Sequence, residues 1–377
     1  MELFFAIAGV AAATIVVGLG IISYINNIFS FAERMNQLLG KAPRPATREQ
    51  AEETLRLLKE LQEKLAPSPQ GAADIGTDEL AKAAGPDTEA RLRDALLLQA
   101  QGKEREAIDA LYEAFRRDLS PRAKAQLHNL IGISFSHLSE FEEAEGHYRQ
   151  ALDASRAANL PEGEAAALGN LGNVCLERGD LDQTEEYYSQ ALAINRETGD
   201  RRDEAGALGN LGVVYRRRGD LDQAEEHFKQ SLVIHREIGS RLNEASALGN
   251  LGNIYLARRD SGQAEEYHQR SLEIKREIGN RLGEARSLGN LGNVYRHRGN
   301  LARAKDHYEQ ALAIDSKIGY RLGQAQDLGN LGMVAAQRDQ KEEACQLLKE
   351  AAAIFEEIGA QSLVDQARAN LQKLGCE

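Results

Sequence analysis

Leu168-Gly169-Asn170-Leu171-Gly172-Asn173 recurs letter for letter at Leu248–Asn253 and Leu288–Asn293, and with only its last residue changed at Leu208–Val213 and Leu328–Met333. The copies fall on a beat of forty residues. Working outward, a second landmark keeps the same beat: Ala144, Thr184, Ala224, Ala264, Ala304 and Ala344. A strict period of this length marks a solenoid, in which each repeat is one supersecondary unit that buries its apolar face only against its neighbours. Chains of this kind present long surfaces that bind other proteins, and few of them are enzymes.

Within the copy from Ala205 to Ile238, Leu208, Leu211 and Tyr215 share one helical face, and Leu221, Ala224, Phe228, Ser231 and Leu232 share another. Arg218-Gly219-Asp220 separates them. Gly219 suits the left-handed residue that ends a helix, and Asp220 can cap the next, with Gln223 at its third position. Gly239 and Ser240 repeat this stop and cap at the second join. Each repeat therefore reads as two antiparallel helices and two short turns. Gly212 and Ala224 have almost no side chain, so the helices can approach closely, with Tyr215 and Phe228 filling the remaining volume.

Leu211, Gly212, Tyr215, Ala224, Phe228 and Ser231 resemble the pattern of the tetratricopeptide repeat, and the match recurs at 171–191, 251–271 and 291–311. Leu168, Leu208, Leu248 and Leu288 replace that family's usual Trp, and its closing Pro is absent, which lets the helices lengthen toward forty residues per repeat. The wording is most similar to the Leu-Gly-Asn adaptors of cell polarity and, more distantly, to kinesin light chains. The resemblance implies an all-α fold, a right-handed α-solenoid of antiparallel helix pairs, with six repeats over 121–358. The G-protein-binding motifs that follow the repeats in those adaptors have no counterpart here, so the likeness is one of fold and not of pathway.

Residues 91–120 carry an atypical first helix pair, in which Gly102 and Ala107 echo the turn and the small-residue position. Residues 359–377 read as a capping helix with an apolar stripe at Leu363, Ala367, Leu371 and Leu374. One internal joint, Arg258-Arg259-Asp260-Ser261, lacks the usual Gly and Leu and reads as a polar, packed turn.

Ahead of the repeats, Leu3 to Ile25 carries no charge and is long enough as a helix to cross a bilayer. Only Glu2 precedes it, where a cleaved signal would carry Lys or Arg. Residues 1–26 are therefore expected to be a retained transmembrane helix. Arg34, Lys41 and Arg44 follow the span, which places the bulk of the chain on the cytoplasmic side. The small pair Gly9 and Ala13 could pack two such spans together. Residues 27–90 join anchor to solenoid, with a capping box at Thr47 and Gln50, a helix ending near Leu65, and a linker at Pro67–Gly71.

Several chemistries are disfavoured. Net charge is -12, which repels nucleic acid unless a strong basic stripe is hidden. His147, His227 and His307 share one repeat position but lie two repeats apart, too far to meet around one ion, and read as packing or surface residues. No phosphate loop, zinc-ligand spacing or nucleophile elbow appears, so neither cofactor nor metal is expected and the chain reads as non-enzymatic. Glu185-Glu186 and Glu225-Glu226 read as solvated charge, and the Arg-Gly-Asp strings at 178–180 and 218–220 as turns. Cys175, Cys345 and Cys376 show no disulfide spacing.

The candidate site is the concave face of the first helices. Two Asn series recur on it: Asn170, Asn210, Asn250, Asn290 and Asn330, and Asn173, Asn253 and Asn293, the latter interrupted by Val213 and Met333. A carboxamide both donates and accepts, which suits the backbone of an extended peptide. The resemblance implies this ladder role, and Gly169, Gly209, Gly249 and Gly289 would let a ligand backbone come close. Arg216, Arg217, Arg286, Arg296 and His297 project from the same helices and point to an acidic segment of a protein partner. A self-assembling scaffold, or an assembly factor at the membrane, is the alternative reading.

Overall fold

The computed structural model describes residues 95–376 apart from 97 and 116–118. The expected anchor at Leu3–Ile25 and the juxtamembrane helix and linker lie outside the described residues. Among the described residues no helix is long and apolar enough to cross a membrane.

A helical stretch that ends at residue 100 turns at Gly102 (φ +71°) into α1 (Glu104–Ala114). Six helix pairs follow: α2 (Pro121–His137) with α3 (Phe141–Ala157), α4 (Pro161–Arg178) with α5 (Leu181–Thr198), α6 (Arg201–Arg218) with α7 (Leu221–Glu237), α8 (Arg241–Ala257) with α9 (Ser261–Glu277), α10 (Arg281–His297) with α11 (Leu301–Ile318), and α12 (Arg321–Gln337) with α13 (Lys341–Glu357). A last helix, α14 (Gln361–Leu374), packs on α13. The described residues are all helix and turn, a tetratricopeptide-type helical repeat. They form two compact units, one ending at Ile234 and the other beginning at His235, within α7.

The joints follow one rule. From α2 onward a left-handed residue ends each helix, and at many joints a polar side chain caps the next, satisfying backbone groups that a helix end leaves open. Gly179, Gly219 and Gly299 supply the positive φ, and Asp180, Asp220 and Asn300 accept from the backbone N–H groups of Gln183, Gln223 and Arg303 at 3.1–3.2 Å. The polar joint obeys the same rule with other residues: Arg259 takes φ +62°, and Asp260 accepts from Gly262 and Gln263. It is an ordinary turn of this array. Ser240, in contrast, makes no side-chain cap, against the sequence expectation.

Inside a pair the helices close on glycine. A Cβ placed at Gly172, Gly212 or Gly292 would come within 2.5–2.7 Å of the ring of Tyr188, Phe228 or Tyr308. Those rings are almost fully buried, and Thr184, Ala224 and Ala304, one turn before them, are 0% exposed. The aromatic three residues after Gly212, Gly252 and Gly292 stacks on the second helix of its own pair. Tyr215 lies on His227, Tyr255 on Tyr267 and Tyr295 on His307, with centroids 5.1–5.2 Å apart. The recurring histidines are therefore packing residues, and among the described residues no group of three or more His, Cys, Asp or Glu side chains could hold a metal ion.

Charged rungs join successive pairs. Arg178 reaches Glu145, Arg218 reaches Glu185 and Arg298 reaches Glu265, while Tyr215 and Tyr295 donate to Glu185 and Glu265. Glu185 is thus a structural acceptor and not solvated charge. Hydrogen bonding from Tyr215, which outweighs its partial burial, holds its carboxyl below the usual range.

Where one pair meets the next, each seam carries a different buried side chain at the same repeat position: Ser155, Asn195, His235, Lys275, Asp315 and Phe355. Gly163, Gly283 and Gly323 leave room for Ser155, Lys275 and Asp315 on the helix that follows.

At the far end, Val364, Ala367 and Leu371 are the buried face of α14, and the expected Leu363 and Leu374 are only half-buried. Cys345 on α13 and Cys376 just past α14 form a disulfide, with Cα atoms 5.6 Å apart. This corrects the reading of three unpaired thiols. A separation of 31 residues carries no motif, and only the antiparallel packing of α13 and α14 brings the pair together. Cys175 stays free and buried in the aromatic's place.

Candidate functional site

The first helices of the pairs, α4, α6, α8, α10 and α12, carry both Asn series. In the first unit Asn170 is 4% exposed and donates to Asn129 Oδ1 at 2.7 Å, so this carboxamide is committed to the neighbouring helix α2. Asn210 is half-buried and has no hydrogen-bond partner among the described residues. In the second unit Asn250, Asn290 and Asn330 are half-buried and likewise unbonded among the described residues. In the second unit three carboxamides at one repeat position are therefore open to a ligand, and in the first unit Asn210 is.

The second series behaves differently. Asn173 Oδ1 accepts from the Tyr188 hydroxyl at 2.6 Å, and Asn293 Oδ1 from the Tyr308 hydroxyl at 2.7 Å. Where the chain has Val213, the facing residue is Phe228, which has no hydroxyl, and Met333 faces Leu348. The interruptions in this series thus track the partner ring. Asn253 faces His268, whose two ring nitrogens are buried without partners, and the Asn253 carboxamide is half-buried and unbonded.

The glycines that precede the first series are not tightly walled. Gly169 faces open space, and a Cβ at Gly209 or Gly249 would meet Ser231 or Ser271 Oγ at an ordinary 3.6 Å. Those serines are themselves tied down, Ser231 to the Ala205 carbonyl and Ser271 to the Ala245 carbonyl.

The cations around the Asn positions are distinct from those of the rungs. Arg216 is exposed, and Arg217 donates to the Leu176 carbonyl at 2.9 Å. Arg286 lies over the Tyr320 ring, 5.9 Å from its centroid, and Arg296 sits beside Tyr308 with its buried Nε unpartnered. None of the four forms an ion pair with a carboxylate among the described residues. The carboxylates are taken by other arginines: Arg196 and Arg201 hold Glu204, Arg236 and Arg241 hold Glu244, and Arg276 and Arg281 hold Glu284.

Sequence reasoning missed a set of buried polar groups beneath this face in the second unit. Lys275 donates to Ser287 Oγ at 3.0 Å, and burial, with Arg286 nearby, lowers its pKa to about 8. Asp315 and Asp327 are 4% and 6% exposed, and neither carboxylate has a hydrogen-bond partner among the described residues. Burial and the charge of Asp315 raise Asp327 to about 8, and burial, opposed by Arg286, raises Asp315 to about 6. The readable signal was a break in a series: Ala167, Ala207 and Ala247 are followed by Ser287 and Asp327.

No curated protein sequence matches the chain. Among solved structures it is similar to a STAND signal-transduction ATPase with a tetratricopeptide repeat sensor from Pyrococcus horikoshii (TM-score 0.63, 16% identity), covering 84% of this chain and 49% of that one. It is similar also to a Rap protein complexed with competence and sporulation factor (TM-score 0.55, 16% identity, 87% and 92% covered). A third likeness is to BtubC from P. vanneervenii (TM-score 0.51, 20% identity, 58% and 90% covered). At these identities the likenesses speak to fold alone. A family model described as tetratricopeptide repeat matches residues 123–197, 163–237, 203–277 and 283–357, and by that match the chain belongs to the tetratricopeptide repeat family.

Proposed function

We propose that this protein is a non-enzymatic adaptor that binds an extended, acidic segment of a protein partner along the first helices of its repeats. Tetratricopeptide repeats typically mediate protein–protein interaction, and the solved Rap protein holds a factor in its complex. The observation that carries the reading is the row Asn250, Asn290 and Asn330 of the second unit, half-buried carboxamides at one repeat position with no partner of their own among the described residues. Arg286 and Arg296 of the same unit lack carboxylate partners among the described residues, which favours an acidic ligand. Asn173 and Asn293 contribute to such a site chiefly by fixing it, since Tyr188 and Tyr308 already occupy their oxygens.

In the same proposal the uncharged stretch Leu3–Ile25 is a retained membrane anchor, with the repeats on the cytoplasmic side. The test uses the full chain as bait in lysate of its own organism, beside the Asn250→Ala/Asn290→Ala double variant. Each lost hydrogen bond costs about 1 kcal/mol, so the variant weakens a groove ligand about tenfold or more. A partner held equally by both proteins moves binding off this face. Self-association of the full chain, with no other partner retained, favours the scaffold alternative.

A further inference from the structure

Asp327 lies under the Asn row. Its Oδ1 is 3.7 Å from where a Cβ of Gly289 would stand, and Gly289 and Asn290 are both half-exposed. Apart from this carboxylate oxygen, nothing beyond the neighbouring backbone lies within 4 Å of the missing Gly289 side chain, so no side chain at residue 289 covers Asp327. Other repeats place Ala167, Ala207 and Ala247 at the same position, with no charge to bury. Asp327 departs from them together with Asp315, which occupies the adjoining seam against Gly323, and a Cβ at Gly323 would collide with that carboxylate. Two nearly buried carboxyl groups without hydrogen bonds are costly to a fold that elsewhere pairs its acids with arginine.

The charged and titratable groups around Asp327 are few. From α11 come Asp315 and Tyr308, which interact with it; beyond them α9 brings Lys275, turned to Ser287, and α10 brings Arg286 and Arg296. Arg286 acts on Asp315, and Arg296 on Tyr308. No cation of the second unit is bonded to Asp327 among the described residues.

We infer that Asp327 is a specificity-determining subsite for a basic side chain, Lys or Arg, carried by the bound segment at the residue that passes Gly289. The inference rests on the groove reading above and refines it. The ligand places acidic residues against Arg286 and Arg296 and a single basic residue at Asp327. Asp315 completes the subsite by adding negative potential behind Asp327.

The test probes an array of short synthetic peptides of Glu, Ala and Gly with one Lys moved through every position. The full chain is compared with Asp327→Asn and with Asp327→Ala, the latter restoring the residue that equivalent positions already carry. The wild type should hold peptides with Lys at one position about tenfold more tightly than their Ala counterparts. Both variants should lose that preference and keep the Lys-free acidic peptides. Acidic peptides bound with no preference for Lys in the wild type, or a preference that survives in both variants, overturns the subsite while leaving the groove reading intact. Retention of no array peptide overturns both.

Discussion

Tyr188 donates its hydroxyl to Asn173 Oδ1 across the two helices of one repeat, and Tyr308 does the same to Asn293. At His268 the ring is too short to repeat the contact, and both of its nitrogens are left buried and unsatisfied. His268→Tyr should restore the bond with Asn253 and raise stability by about 1 kcal/mol, while Tyr308→Phe should lower it by about the same amount. Chemical denaturation of both variants checks the pair. A destabilised His268→Tyr would show that the slot at Gly252 cannot take the larger ring.

His268 also sets a pH dependence. Burial, helped by the charge of Lys275, holds its pKa down to about 4, against 6.5 for an ordinary histidine. The folded state therefore takes up a proton less readily than the unfolded one. The stability from the neutral ring is full above 6.5 and is lost as pH falls toward 4. His268→Phe should remove about 2 kcal/mol of the loss between pH 7 and about pH 5. Unfolding free energies of wild type and variant across that range give the measurement, and parallel curves would refute it.

The left-handed turn at Arg259 offers a substitution that should stabilise. Its side chain is exposed, and a non-glycine residue at positive φ is strained. Arg259→Gly should gain about 0.5–1 kcal/mol after the glycine's own entropy is counted. Arg218→Ala, by contrast, removes the rung to Asp182 and Glu185 and should lower stability by about 1 kcal/mol, less at high salt. Thermal melts at low and high salt separate the two effects.

The disulfide closes a 31-residue separation, and opening it should cost α14 its tether and about 3–4 kcal/mol. Cys376→Ser, or reduction, should lower the melting temperature and hasten proteolysis after Glu357. Alkylation of intact cells also reports the compartment. Closed thiols would argue against the cytoplasmic placement proposed above, because glutathione keeps such pairs reduced there.

The repeat itself was legible because forty-residue spacing forces equivalent residues into equivalent places: Gly212 against Phe228 follows from a small residue facing an aromatic. The Asn rows were visible for the same reason. Which of their atoms are free was not, since that depends on a ring one helix away, as Val213 with Phe228 and Asn293 with Tyr308 make plain. Periodicity also hid the exceptions. Asp327 looked like one more position in a helix, and Cys345 and Cys376 share no spacing with any repeat. Glu185 read as solvated because its partners, Tyr215 and Arg218, come from the following helix.

The seams between pairs raise a different matter. Repeats this alike could pair out of order while folding, since the wrong neighbour would offer nearly the same Leu, Gly and Ala face. Ser155, Asn195, His235, Lys275, Asp315 and Phe355 make every seam chemically individual. A lysine fitted to Ser287 on the next helix would meet apolar Ala167 or Ala207 at a mistaken one, stranded without its acceptor. The buried side chains thus act as addresses, giving a nearly uniform array a fixed order of assembly.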